Sequence, residues 1–150
     1  MKLAEALSIR ADLQKKVSQL KERLKDNVKI QEGDVPAEDP KELFEELENN
    51  LVQLENLIYR INITNTKTIY KGSTLTKLIA TKDVLSLRVS LMREVLNHTV
   101  EREDRYGRLE IKYIRTVDAS ELRKSVDSYS KQLRELDMEI QSLNWITELK

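Results

Sequence analysis

No cysteine occurs in this sequence, so a disulfide framework, thiolate chemistry and a cysteine-based metal site are all excluded. Histidine occurs once, at His98, which removes metal sites built on histidine pairs. Three glycines, two prolines and a single phenylalanine are too few for a sandwich or barrel of many short strands. No apolar run approaches the ~20 residues that a membrane span requires. Charge of one sign is missing too. Lys plus Arg equals Asp plus Glu at 26 each, so no net field draws the chain toward nucleic acid or an anionic membrane. The phosphate-cradling patterns GxGxxG and GxxxxGK[ST] and the serine elbow GxSxG are absent. A di-metal carboxylate bundle needs Glu-x-x-His pairs on facing helices, whereas Glu94 and His98 are four apart and occur once. No catalytic residue, metal or cofactor is expected, and the reading leans away from an enzyme.

What is present is charge and leucine. Charged residues make up 35% of the 150, a profile of long helices or coiled coil. The length suits one helical domain, residues 1–150. The start, MKLAEALSIRADLQKK, is amphipathic and lacks a signal peptide's apolar core. A cytoplasmic protein is therefore expected, and the sequons at Asn62 and Asn97 are taken as accidental.

Apolar spacing predicts four helices. The first runs from about Lys2 to Asp26, with the stripe Leu3, Ala6, Arg10, Leu13, Val17, Leu20 and Leu24; Arg10 stands where leucine is expected. Asp39-Pro40-Lys41-Glu42 opens the second with a capping aspartate, a first-turn proline and a box-forming glutamate. Its stripe is Leu47, Leu51, Leu54, Ile58 and Ile61, after which Asn65 takes the next slot. Ser73 caps the third, which extends to about Asp104 before Tyr106-Gly107. It carries two apolar rows, Leu78, Leu85, Val89, Met92, Leu96 and Val84, Leu87, Leu91, Val95, and so is placed centrally. Asp118 to Glu121 caps the fourth, whose stripe is Leu122, Val126, Tyr129, Leu133, Leu136, Ile140 and Leu143. Helices of 25–30 residues span ~37–45 Å. Short connections make neighbours antiparallel, which gives an all-α antiparallel four-long-helix bundle, coiled-coil-like, with short β segments at helix ends.

Three segments have strand character. Val28 to Gln31 and Glu110 to Val117 fall at the same end of an up-down-up-down bundle and are expected to pair. Thr66 to Tyr70 stands alone at the other end, and an unpaired strand edge invites a second subunit. A homo-oligomer is expected on that ground. Lys112, Tyr113 and Arg115, near Arg105, Tyr106 and Arg108, have the composition of a phosphate contact, but with zero net charge a nucleic acid partner is not expected.

The Thr66–Tyr70 end also gathers polar residues from four chain segments: Arg10, Asn62, Asn65, Asp83, Arg88, Asn144 and Trp145. Two readings are open. A buried Arg10–Asp83 pair with amides can fix helix register. Alternatively Arg10 meets an anionic ligand and Trp145 forms a stacking wall. An arginine in an apolar slot can also reach solvent, leaving no cluster.

RADLQ at 10–14, QEGDVPAEDP at 31–40, INITNT at 61–66, RYGRLEIKYIRTVD at 105–118 and ELDMEIQSLNW at 135–145 together resemble a family of small bacterial helical proteins called septicolysin-like or carried as a domain of unknown function. The resemblance covers nearly the whole chain. It implies a helical bacterial protein and supplies no site residues, and the name implies a haemolysin. The residues point first to an interaction or scaffold module that binds an unidentified protein partner. A membrane-active haemolysin-like protein and a small-ligand binder or enzyme using the polar end are the alternatives.

Overall fold

The structure, a computed structural model, describes residues 1–101 and 111–150. The fold is mainly all-α: α1 (Leu3–Asn27), α2 (Pro40–Lys67), β1 (Ile69–Tyr70), β2 (Ser73–Thr74), α3 (Leu75–Val100) and α4 (Ala119–Ile146). The expected continuation of α3 to Asp104 and the Tyr106-Gly107 stop lie outside the described residues. Contacts divide the chain into two compact units, Met1–Thr76 with Gln141–Lys150, and Lys77–Ile140.

Helices α2 and α4 start where the sequence caps them. Asp39 Oδ1 accepts the Lys41 N–H at 2.9 Å, with Pro40 in the first turn of α2. Asp118 Oδ1 accepts from Ser120 and Glu121 at the start of α4. At α1 the Glu5 carboxylate accepts the Lys2 N–H. The aspartate contacts satisfy first-turn N–H groups that have no partner within their helices, and the Glu5 contact satisfies the N–H of the capping residue itself.

In the first unit α1 and α2 run antiparallel. Leu20 and Leu24 from the end of α1 form a cluster with Leu43 and Leu47 from the start of α2. The α1 stripe is as read, with Leu3, Ala6, Leu13, Leu20 and Leu24 buried and Arg10 half-buried in its slot. The α2 stripe is different. Leu43, Leu57, Ile61 and Thr64 are buried, Leu47 and Leu54 half-buried, and Leu51 is 37% exposed. Apolar residues on α2 cover an arc wide enough for two heptad lines that share Leu47, Leu54 and Ile61. Packing against Leu20 and Leu24 selects the line through Leu43, so the slot after Ile61 belongs to Thr64 rather than Asn65.

In the second unit α3 and α4 are antiparallel. Lys82 Nζ meets Asp137 Oδ1 at 3.0 Å, and the Arg88 guanidinium lies 5.0 Å from the Tyr129 ring centroid. Leu85, Val89 and Leu96 are buried on α3, and Val126 and Ile140 on α4. The α4 stripe is as read. On α3 only the first row turns inward. Val84, Leu87, Leu91 and Val95 are exposed, which corrects the expectation that they form core.

The β expectations change most. Thr66–Tyr70 does not present a lone edge, because Ile69 pairs with Thr74 and Tyr70 with Ser73 in a local antiparallel hairpin. Lys71 and Gly72 both have positive φ, 48° and 81°, as a two-residue primed turn requires. Ser73 is thus a strand residue and α3 begins at Leu75. Val28 to Gln31 is bend and irregular chain, and Ile111 to Val117 is exposed without strand structure; Glu110 lies outside the described residues. β-branched residues favour a strand only where a neighbouring ladder accepts their backbone, and Val28 to Gln31 offers none.

Candidate functional site

Polar residues close the first unit at the end of α2. Threonine hydroxyls there donate to carbonyls one turn back: Thr64 to Arg60, Thr66 to Asn62 and Thr68 to Thr64, each at 2.8 Å. This back-bonding gives the hydroxyls acceptors on carbonyls within the last two turns of the helix, and the Thr64 carbonyl also takes the Thr68 N–H at 2.9 Å. Thr64 has no exposed surface, yet its Oγ1 also accepts the Lys150 N–H at 2.9 Å. Arg60 Nε donates to the Lys150 carbonyl. Residues 147–150 therefore lie along the end of α2 and also tie to the start of α1. Leu3 N–H donates to the Thr147 carbonyl, and Leu149 N–H to that of Met1, both at 2.9 Å. The Lys2 ammonium and the Met1 amino group reach Glu148, and with their hydrogen bonds hold its carboxyl below the usual range. Leu75 N–H donates to the Thr68 carbonyl, so the start of α3 joins the same level. The starts of α1 and α3 and the ends of α2 and α4 meet here, as the topology predicts.

Five residues of the candidate cluster belong to this unit. Arg10 is half-buried, and its Nε is enclosed with no hydrogen-bond partner. Asn65 and Asn144 are half-buried, Asn62 is exposed and Trp145 is 65% exposed. Asp83 and Arg88 belong to the second unit, where both are exposed and Arg88 lies over Tyr129. His98 is at the surface, 3.6 Å from the Glu101 carboxylate.

One polar network escaped the sequence reading. Arg23 Nε donates to Glu38 Oε2 at 3.0 Å, its Nη2 to Glu38 Oε1, and its Nη1 lies 3.5 Å from Glu46. The Arg23 hydrogen bond holds the Glu38 carboxyl below its ordinary range, and Glu38 raises Arg23 in return. Buried Asn27 supports them, its Oδ1 accepting the Glu38 N–H while its Nδ2 donates to the Arg23 carbonyl. This network ties the α1–α2 connection to the helices. Arg23 sits one position before Leu24 of the stripe, a boundary place that polarity alone does not mark out.

The exposed α3 row is the other feature of note. Val84, Leu87, Leu91 and Val95 keep 59, 58, 54 and 55% of their surface exposed, on the helix whose Leu85, Val89 and Leu96 are buried. Among the described residues no helix is long and apolar enough to cross a membrane.

No curated protein matches the chain. A crystal structure of a functionally unknown conserved protein from Corynebacterium diphtheriae is similar at 44% identity and a TM-score of 0.93, over 100% of this chain and 99% of that one. These likenesses support an uncharacterised family and carry nothing of the septicolysin name. A family match spans residues 10–149, and the chain belongs to DUF6847, a family of unknown function.

Proposed function

We propose that this protein is a helical interaction module that binds a protein partner, with the outer face of α3 as its contact surface, and that it acts in the cytoplasm. The observation that carries this reading is the row Val84, Leu87, Leu91 and Val95, more than half exposed along ~16 Å of one helix. Single exposed apolar residues are ordinary, but a contiguous line of four on a helix that already has a buried side fits a contact face. A photo-activated cross-linking residue in place of Leu91, in producing cells, tests it. A discrete protein adduct that the same probe at exposed Glu55 does not form is the expected result. No adduct, or only lipid adducts, overturns the reading.

The unpartnered Arg10 Nε favours a second reading, a small anionic ligand at the polar end. A thermal shift with phosphate, a carboxylate or a nucleotide, lost in Arg10→Ala, would support it, because ligand held only by the native state raises stability. The haemolysin that the septicolysin-like resemblance implies would use the same α3 row on a bilayer, and dye release from anionic vesicles distinguishes it.

A further inference from the structure

Resting on the reading of the outer α3 face as a protein contact, we infer that its occupant is a second copy of this chain, packed with the two α3 helices parallel so that Asp83 of each copy meets the partner's Arg88. The two edges of the row carry opposite charge. At 3.6 residues per turn, Asp83 lies about 85° to one side of the row's centre and Arg88 about 55° to the other. A copy laid antiparallel about a two-fold axis sets acidic edge against acidic edge and basic against basic. A parallel copy sets each acidic edge against a basic one. Charge therefore selects the parallel arrangement, which is isologous: the same two contacts recur on both sides of the axis.

The register supports the same pairing. With Ala80 and Leu87 at d and Val84 and Leu91 at a, Asp83 takes the g place and Arg88 the following e place. Pairs of that kind bridge parallel helices and set partner and orientation. Arg88 is exposed and lies 5.0 Å from the Tyr129 ring centroid, and a guanidinium beside an aromatic face can still meet a carboxylate with its N–H groups. Glu94, rather than an apolar residue, occupies the next d place, so the seam is short and centred on Leu87. A seam this short falls below the ~800 Å² per partner of a standard interface, and the dimer is correspondingly weak, at roughly micromolar concentration.

Sedimentation velocity over a concentration series is the test, with circular dichroism confirming that each variant is folded. The wild type is expected to pass from monomer to dimer, and Leu87→Glu to stay monomeric. Asp83→Arg and Arg88→Glu should each weaken the dimer roughly tenfold, and the double variant should restore it, because the pair is re-formed with its signs exchanged. Because the chain has no cysteine, single replacements report orientation directly. Ala80→Cys and Val84→Cys each link to themselves under mild oxidation in a parallel pair and stay apart in an antiparallel one. A wild type that remains monomeric, a dimer that survives Leu87→Glu, or a double variant no better than the singles overturns the inference. A monomer whose residue-91 cross-linker captures a different protein overturns the second copy alone, and a monomer that captures nothing overturns the contact face as well.

Discussion

The end of α2 and the outer face of α3 treat their residues in opposite ways. Thr64 is polar and fully buried, while Leu91 is apolar and 54% exposed. At Thr64 the neighbouring chain supplies what a buried hydroxyl needs, an acceptor at Arg60 and a donor at Lys150. At Leu91 the buried side of α3 is taken by Leu85, Val89 and Leu96, and the outer row has no place there. Polarity sets what burial costs; the availability of a partner decides whether it happens.

The sharpest way to break that comparison is to truncate an apolar residue in each region. Ile61→Ala, at a residue 1% exposed beside Thr64, should cost about 3 kcal/mol in urea denaturation. Leu91→Ala should stay within about 0.5 kcal/mol under conditions that keep the protein monomeric. Equal losses would mean that the α3 row is packed within the monomer. Next in size, Thr64→Val keeps the shape but strips both hydrogen bonds and leaves the Lys150 N–H without its acceptor, an expected loss of about 1–2 kcal/mol. Stability equal to wild type in this valine variant would reduce the threonine ladder to a geometric coincidence.

The smallest effect lies at the other end of the α1–α2 pair. Glu38 is half-buried and its carboxyl is held low by Arg23. A depressed folded-state value means that its contribution is fully present above the ordinary glutamate range. The contribution fades as the pH falls through the depressed value. The stability gap between wild type and Glu38→Gln should therefore be open at neutral pH and close in acid. A gap that widens in acid would reverse the sign and remove Arg23 as its cause.

Much of this was legible in the residues. Asp39 and Asp118 mark helix starts by chemistry that acts within one turn, so they read correctly. The stripes of α1 and α4 read correctly because each helix has a single narrow apolar line. Two helices were ambiguous for the same reason. On α2 the Leu43–Leu57–Thr64 and Leu51–Ile58–Asn65 lines are both compatible with Leu47, Leu54 and Ile61, and on α3 both rows look like core. Topology places four helix ends at one level around Thr64 and Thr68. Arg10, Asn62, Asn65, Asn144 and Trp145 fall in that unit, with Asp83 and Arg88 in the other. The Arg23–Glu38–Asn27 network was not legible, because its partners are 11 to 15 residues apart across an irregular connection.

By itself the sequence determined the helical class, the starts of two helices at their aspartate caps and the exclusion of cysteine chemistry, since each follows from composition or from contacts within a turn. Only the tertiary structure decided which apolar line of α2 turns inward, that Ile69–Tyr70 folds onto Ser73–Thr74, that Ile111–Val117 forms no strand, and that one row of α3 stays in solvent. Each of those depends on what stands opposite in space, and a helical repeat specifies a face without specifying its partner.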